Sequence, residues 1–349
     1  MLSFDILLAS NKDHCQQWDR LIGELSPAQR DIHYGSAFGR VQERLGCDSI
    51  LAMLRTNEGI ILQSFVLNEI PGQLGLHDMS STGYGGPLTN IKNIPALVLA
   101  STEFYRLIAS AQKGLVSSFC YFHPSMTCSQ MAMVTKATDV QPYKSVVMIG
   151  LQEFGLHKVS RRVRRAMKRG GTVTELNASD ATNRETFFHL YNMAMDKKNA
   201  APHWRFHRSY LDAHFTELGA KLFAATDDAG LRELMVLGDK DGIAYAHLLG
   251  SNGCGDGLDE QLYFKTAMML KDEGYSIFHL GGGLTTNADD KLLAFKAGFG
   301  EKFQMWCHRW VVDEKEYSRL SEQRENNEIN EHGRISRSNY FPAYRRPFI

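Results

Sequence analysis

A chain of 349 residues is longer than a single hydrophobic core usually supports, so the sequence predicts two domains. Lys plus Arg and Asp plus Glu both number 39, so no overall field attracts nucleic acid or membrane, and an anionic partner needs a local cationic cluster. A hydrophobic fraction of 43% with 22% charged residues is ordinary for a globular protein and excludes a fibrous or disordered chain.

The cysteines are scattered along the chain without CxxC or Cys/His spacing, which predicts neither a zinc site nor a disulfide framework. They are Cys15, Cys47, Cys120, Cys128, Cys254 and Cys307. The N-terminal residues have no basic start and only a short apolar run, so neither a signal peptide nor a membrane anchor is predicted. We therefore expect a cytoplasmic protein without stable membrane insertion and without a bound metal.

The first 150 residues alternate short strands and amphipathic helices, a pattern that predicts an α+β domain. Asn11 supplies an N-capping side chain for the first helix, and the turn sequence TNEG joins two strands as a hairpin. The predicted elements are a strand over 2–8, helices over 11–25 and 33–46, strands over 48–54 and 59–68, a helix over 94–112 and a strand over 117–122.

The segment DMSSTGYGGP, residues 78–87, contains three glycines and a proline and predicts a loop of fixed shape. Asp78 and Tyr84 are its only groups with acid–base potential. A rigid connection whose tyrosine packs inward explains the segment, and the motif by itself does not favour a functional role over that explanation. From the residues alone, both interpretations stay open.

The segment LHKVSRRVRRAMKRGG places seven Lys and Arg residues between Lys158 and Arg169. Val159, Val163 and Ala166 keep an apolar stripe at helical spacing, so a helix that ends at the following glycines is predicted. Such a run is commonly a solvated basic face. In a chain without net charge it is also the best local candidate for binding phosphate groups.

The order of elements after residue 150 resembles that of the first half and predicts a second α+β domain over 151–316. A polar run over 321–338 predicts a mobile linker, and the aromatic tail over 340–349 is expected to return, so that 317–349 packs on the domain formed by 1–150. The predicted elements are strands over 172–176, 221–226, 233–239, 243–250 and 275–280, and helices over 184–198, 209–218 and 260–273.

The stretch HLGGGLTTNADDKLLAFKAGFG, residues 279–300, predicts the end of a buried strand, a glycine turn and a short helix. Asn287 is the predicted N-cap of that helix. At about 100° per residue, Lys296 falls on the apolar arc that also carries Phe295 and Phe299.

Two interpretations of Lys296 compete. Its stem can snorkel out of a helix that packs against a sheet, with no further role. Alternatively, its ammonium ends beside the glycine turn, where it can hold an anion or stabilise negative charge that develops on an oxygen. The exposed backbone N–H groups of a glycine turn favour the second interpretation.

Three motifs together carry a resemblance to the Fem-type (FemAB-like) aminoacyl and peptidyl transferase family. They are DMSSTGYGGP, RRVRRAMKRGG and HLGGGL…LLAFKAGFG, in the order and approximate spacing of that family over roughly residues 30–310. The tail NYFPAYRRPF resembles the shorter members associated with surface-polysaccharide biosynthesis. No insertion of the kind that forms the long helical arm of some members is present.

The resemblance implies a fold of two tandem GNAT-like domains with mixed central sheets. It implies transfer of an acyl or aminoacyl group to an amine, and the family's FK pair falls on Phe295 and Lys296. Lys296 would stabilise charge during transfer, and Tyr84 and Asp78 would position the acceptor, with Asp78 as the proton acceptor. The other residues expected to bind substrate are Gly281, Gly282, Gly283, Arg161 and Arg165.

The implied acceptor is an amino sugar or a peptidoglycan-stem precursor, and the implied donor is aminoacyl-tRNA or acetyl-CoA, with no tightly bound cofactor. GNAT enzymes hold the CoA pyrophosphate on a Q/R-x-x-G-x-G/A loop at a helix N-terminus. The corresponding segment here, SNGCGDGLDEQLYF, has glycines without that pattern. This departure disfavours a standard CoA site and leaves a variant one open. The alternatives are an acetyl-CoA-dependent GNAT N-acetyltransferase of surface-polysaccharide biosynthesis and a non-catalytic GNAT-like binding protein.

Overall fold

The computed structural model describes residues 2–123, 139–228, 230–238, 242–253, 257–285, 287, 289–335 and 339–347. The chain divides into two compact units. Unit 1 comprises Met1–Tyr143 with Met305–Ile349, and unit 2 comprises Lys144–Gln304. Cys128, Cys254 and Pro124 lie outside the described residues.

Unit 1 is a mixed sheet with helices packed against it. Its sheet has the order β1-β2-β3-β4-β6-β13, with β5 beside β3; β4 and β6 run parallel, and the other neighbours run antiparallel. The elements are β1 Ser3–Leu8, α1 Lys12–Gly23, α2 Ser36–Glu43, β2 Asp48–Thr56, β3 Gly59–Glu69, β4 His77–Ser80, β5 Leu88–Thr89, α3 Ile94–Ala111, β6 Leu115–Tyr121, β13 Glu301–Val311 and α9 Glu314–His332.

Local signals explain the start of unit 1. The Asn11 side chain accepts hydrogen bonds from the backbone N–H groups of Asp13 and His14, as expected of an N-cap. Trp18 of α1 is fully buried, and its indole N–H donates to the Tyr34 carbonyl at 2.7 Å, so the large ring enters the core with its polar atom satisfied. The predicted hairpin is confirmed as β2 and β3.

Unit 2 repeats the arrangement with a sheet of order β7-β12-β11-β10-β9-β8. Here β11 and β12 run parallel, and the other described neighbours run antiparallel. The elements are β7 Asp139–Gly150, α4 Arg161–Ala166, β8 Thr172–Leu176, α5 Ala181–Lys197, α6 Arg208–Leu218, β9 Lys221–Asp227, β10 Gly230–Gly238, β11 Ile243–Ser251, α7 Leu258–Asp272, β12 Ile277–Gly282 and α8 Lys291–Lys296. Mixed sheets with flanking helices in both units confirm the predicted α+β class.

The two parallel strand pairs differ in how far their pairing continues. In unit 1 the contact between β4 and β6 extends past the strand ends, because Ser81 and Gly85 donate backbone hydrogen bonds to Phe119 and Tyr121 at 3.1 and 3.0 Å. In unit 2 the pairing of β11 with β12 ends at Tyr245–His279. Beyond that pair, the neighbour of β12 among the described strands is β7. We call this divergence the β11/β12 opening.

Three sequence predictions about the type or length of an element are wrong. Asp78 lies in β4 and not in a loop, because this short strand is paired on both sides by β3 and β6. The basic segment forms only the short helix α4, which Ser160 caps and which ends before Met167. The predicted mobile linker is largely the helix α9, capped by Asp313 and ended by Gly333 in the left-handed conformation.

The N-cap of α8 is Asp290 and not Asn287. The Asp290 carboxylate accepts hydrogen bonds from the backbone N–H groups of Leu293 at 2.9 Å and Thr285 at 2.8 Å. One side chain thus caps the helix and ties down the segment that enters it. A polar side chain caps the helix, as predicted. Several polar residues precede the helix, however, and the contacts across the turn determine which of them is the N-cap.

Candidate active site

Lys296 ends at the glycine turn. It is the last residue of α8, only 9% of it is exposed, and its ammonium donates a hydrogen bond to the Gly282 carbonyl at 2.7 Å. A snorkelling lysine would carry its ammonium into solvent, which this one does not. The ammonium therefore ends beside the half-buried glycine turn, and its predicted role in holding an anion or stabilising charge stays a prediction.

The turn requires glycines, because its backbone conformation and the neighbouring atoms leave no room for side chains. Gly281 has a φ of 75°, a conformation that side chains with a Cβ rarely adopt. A Cβ on Gly282 would lie 2.9 Å from the Ser145 carbonyl, and one on Gly283 would overlap the Asp290 carboxylate. The turn can approach β7 and the α8 cap closely only because all three residues lack side chains.

Two lysines and one carboxylate surround this turn. Burial lowers the pKa of Lys296 to about 8, with the charge of Lys144 as the second cause and Asp290 opposing the shift. Burial also lowers the pKa of Lys144, whose stem lies against Gly282. Backbone hydrogen bonds, that of Leu293 foremost, lower the pKa of Asp290 to about 2. The Lys144 and Lys296 ammonium groups and the Asp290 carboxylate thus interact electrostatically beside the turn.

This arrangement can hold an anionic group or stabilise an oxyanion, because a buried ammonium is fixed beside the backbone of the turn. We call Lys144, Lys296, Asp290 and the glycine turn the lysine site. The sequence analysis did not identify Lys144. It lies on β7, far from Lys296 in the chain, and the sequence KSVVMIG around it reads only as a strand.

Replacing Lys144 with methionine is expected to raise the pKa of Lys296, because it removes the like charge that disfavours the protonated amine. An NMR titration of the Lys296 ammonium measures this directly. Lys291→Met, which removes an exposed lysine at the start of α8, is the matched control. An unchanged Lys296 titration in Lys144→Met would show that the two amines do not interact.

Phe295 lies in the apolar layer next to Lys296. Its ring packs against Tyr263 and Phe299 at centroid distances of 5.6 and 5.3 Å, and the Arg162 guanidinium lies 5.6 Å from its centroid. Phe295 therefore supports the helix that carries Lys296. Its predicted role in binding substrate stays a prediction.

The arginines of the basic segment are exposed, but they differ in the contacts that they make. Arg162 forms an ion pair with Glu260, and Arg164 donates to the Val159 carbonyl at 2.9 Å, so both help to fix α4. Arg161 and Arg165 are exposed. These two side chains are the ones that the sequence analysis assigned to substrate binding.

Asp78 lies in unit 1 and holds the C-terminal tail. It is 4% exposed, forms an ion pair with Arg345 and accepts a hydrogen bond from the Tyr344 hydroxyl at 3.2 Å. Arg345 also donates to the Glu69 carbonyl at 2.7 Å. Burial raises the pKa of Asp78, while Arg345 opposes that shift. These contacts give Asp78 a structural function in addition to the proton-accepting role predicted for it.

Tyr84, also in unit 1, lies among other rings. It makes edge contacts with His33, Tyr121 and His123 at centroid distances of 5.2, 5.9 and 5.8 Å, and burial raises its pKa. His33 Nδ1 lies 2.5 Å from the carboxylate of the buried Asp31, a pair that the sequence analysis missed. The described contacts do not join Tyr84 to Asp78.

Within the described ranges, no group of three or more His, Cys, Asp and Glu side chains is placed to hold a metal ion. Over the same residues, no helix combines the length and the apolar character needed to cross a bilayer.

The chain matches no model of a known protein family, and no curated protein matches it. Solved structures do resemble it. A tandem GNAT protein from the clavulanic acid biosynthesis pathway has a TM-score of 0.55 at 10% identity, covering 90% of this chain and 99% of its own. L-PGS from Bacillus licheniformis has a TM-score of 0.54 at 14% identity, covering 84% and 91%.

A third structure is the C-terminal domain of a protein assigned as a lysylphosphatidylglycerol synthetase in Agrobacterium fabrum. Its TM-score is 0.52 at 14% identity, and the match covers 86% of this chain and 92% of that one. At such low identities the similarity concerns the fold. The chain has the α+β fold of two tandem GNAT-like domains, as the sequence predicts.

Proposed function

We propose that the protein is an acyltransferase that forms an amide on an amino group of a cell-envelope precursor, an amino sugar or a peptidoglycan stem. The observation that carries the proposal is the lysine site in unit 2. Its buried ammonium lies at the end of β12, the strand that diverges from β11 in a GNAT-like fold. The tandem GNAT fold and the three sequence motifs support the same reaction class.

Amide formation places specific demands on a site. An amine attacks the acyl carbonyl, the carbonyl oxygen becomes negatively charged, and the leaving group departs as the carbonyl re-forms. A preorganised cation lowers the free energy of that oxyanion most when water is excluded. Lys296 meets both conditions, since its ammonium is buried and fixed on the Gly282 carbonyl.

The opening supplies a place for an extended donor. Strand β11 continues to Ser251 after its pairing with β12 has ended, so backbone groups on the facing edges are not used in a ladder between these strands. Such edges can hydrogen-bond an extended chain. The pantetheine arm of acetyl-CoA carries amide groups that can form such hydrogen bonds, and we propose acetyl-CoA or aminoacyl-tRNA as the donor.

A phosphate-bearing donor is expected to use the exposed arginines of α4. Reversing both charges, Arg161→Glu with Arg165→Glu, should weaken donor binding, and the loss should shrink as salt is raised. Equilibrium binding of acetyl-CoA and of aminoacyl-tRNA at several salt concentrations measures this. The control is Lys92→Glu with Lys198→Glu, which reverses two exposed charges elsewhere. Equal binding of both double variants at low salt would contradict the assignment.

Purified protein incubated with labelled acetyl-CoA or labelled aminoacyl-tRNA and a panel of amino-sugar acceptors tests the reaction itself. Label transferred to an amine supports the proposal, and the donor that supplies it decides between the two kinds of transferase. Binding of donor or acceptor without transfer under any combination would instead favour the alternative of a non-catalytic GNAT-like binding protein.

A further inference from the structure

Two histidines of unit 2 form a hydrogen-bonded pair with a defined direction. His214 on α6 is fully buried, and its Nδ1 lies 2.8 Å from the Tyr210 carbonyl. A carbonyl only accepts, so Nδ1 of His214 carries the hydrogen. In the neutral ring, Nε2 of His214 is then an acceptor. It lies 3.1 Å from Nε2 of His247, which must donate.

This pairing sets the tautomer of His247. With its hydrogen on Nε2 and directed at His214, the neutral ring of His247 carries its basic lone pair on Nδ1. The centroids of the two rings lie 4.7 Å apart. Because His214 is fully buried, its contact fixes the orientation of the half-buried His247 ring. This is the relationship of a base to the group that orients it.

His247 lies at the β11/β12 opening. The last residues that pair across it are Tyr245 and His279, and His247 follows two positions later on β11. The register between β10 and β11 shifts at this point, since Met235 pairs with Leu248 but Val236 pairs with Ala246, and His247 is the additional residue of a bulge. Bulges redirect a side chain, and they are frequent next to active sites.

Other titratable groups surround this pair. On α6, the Tyr210 ring makes an edge contact with the His214 ring at a centroid distance of 4.7 Å. From β12, His279 contacts the Tyr245 ring at 5.3 Å, and its Nδ1 accepts the Gly281 N–H at 3.0 Å, so its other nitrogen carries the hydrogen in the neutral ring. On β10, Glu233 lies opposite Gly250, and burial raises its pKa to about 7. A test must separate His247 from Glu233.

We propose that His247 is the proton acceptor for the attacking amine and that His214 is its positioning residue. The inference rests on the proposed acyl transfer. It assigns the base to unit 2, at the β11/β12 opening, whereas the sequence motifs had suggested Asp78 in unit 1.

The proton passes from the amine to His247 and then to the leaving group. The amine nitrogen forms a bond to the acyl carbon and becomes positively charged, and its N–H bond then breaks as Nδ1 of His247 takes the proton. The electron pair of that bond stays on nitrogen and becomes part of the amide. The leaving oxygen or sulfur departs with the electrons of its bond to the acyl carbon, and it receives the proton from the imidazolium.

The test uses a variant that keeps the structural contact. His247→Gln retains an N–H donor toward His214 but has no basic nitrogen, so the fold should persist. Turnover should fall by about 10²-fold or more, a usual contribution of a general base. The wild-type rate should fall at low pH, where the base is protonated. The residual activity of His247→Gln should not show this low-pH loss. Glu233→Gln should keep that low-pH loss.

His214→Asn tests the positioning role, because the asparagine amide nitrogen lies where Nδ1 of histidine lies and can still donate to the Tyr210 carbonyl. The shorter side chain has no atom at the position of Nε2, so the acceptor that faces His247 is lost. This variant should lower kcat less than His247→Gln does and should displace the low-pH loss instead of abolishing it. The exposed His157→Gln serves as the control and should change neither quantity. Full turnover with an unchanged pH profile in His247→Gln would overturn the proposal.

A second measurement needs no turnover, so its result is separate from the fate of the proposed reaction. Nitrogen NMR of the histidine rings should show the hydrogen on Nδ1 in His214 and on Nε2 in His247, and His214→Asn should release the His247 tautomer. The opposite tautomers, or a His247 ring that does not respond to His214→Asn, would also overturn the proposal.

Discussion

Lys296→Met is expected to reduce turnover by about 10²–10³-fold, the usual cost of removing one group that stabilises an oxyanion, while the fold persists. Methionine keeps the length and apolar character of the lysine stem, which passes through the layer formed with Phe295. Only the ammonium and its hydrogen bond to the Gly282 carbonyl are lost. The fall should appear mainly in kcat, because the charge acts on an oxyanion absent from the ground state.

The pH dependence provides an independent check. With a pKa of about 8, Lys296 is an ammonium below that pH, so the wild-type rate should fall as the pH rises above about 8. The residual activity of Lys296→Met should not show that fall. The folded pKa lies below the usual value near 10.5, so burying the charge costs stability at neutral pH, and that cost disappears between about 8 and 10.5.

Melting temperature and turnover are measured on one preparation of Lys296→Met. A stable and fully active variant would remove Lys296 from the mechanism and leave Tyr84 and Asp78 as the remaining predicted candidates. A variant that is inactive because it has unfolded is recognised by its melting temperature. In that case Lys296→Arg, which keeps a cation near the turn, should retain the fold and show whether the charge is what matters.

What the sequence predicted well is what local rules determine. The TNEG hairpin, the Asn11 cap and the strand that ends at the glycine turn depend on residues close together in the chain. The apolar arc that carries Lys296 belongs to the same class, since it follows from helical periodicity alone. The tandem GNAT-like fold followed from three motifs in order, none of which is specific by itself.

What the sequence missed depends on contacts between distant segments. Lys144 meets Lys296 because β7 pairs with β12, and His247 meets His214 because α6 packs near β11. No spacing rule relates such positions. The helix α9 was predicted as a mobile linker because its composition is polar. One glutamate in it, Glu328, is buried by an arginine from the tail, and composition cannot show that.

Glu328→Ala is expected to destabilise unit 1 by about 3–5 kcal/mol, because it leaves a buried cation without its partner. Glu328 is 1% exposed and Arg346 is 6% exposed, and the guanidinium donates to both carboxylate oxygens at 2.9 and 2.7 Å. Arg324 also lies 3.5 Å from Glu328 and donates to the Arg346 carbonyl, so removal of the carboxylate leaves two arginines close together. Urea unfolding measures the change.

The matched control is Glu322→Ala, an exposed glutamate of the same helix, for which a change within about 0.5 kcal/mol is expected. The double variant Glu328→Leu with Arg346→Met tests the cause, because it replaces both charges of the buried pair by apolar side chains. Arg324 is partly exposed and keeps its hydrogen bond to the backbone carbonyl of residue 346, so most of the lost stability should be recovered. If the double variant is as unstable as Glu328→Ala, the loss comes from packing and not from the unpaired charge. Arg345, which pairs with Asp78, belongs to the same tail. Release of the tail in Glu328→Ala should therefore also expose Asp78 to solvent.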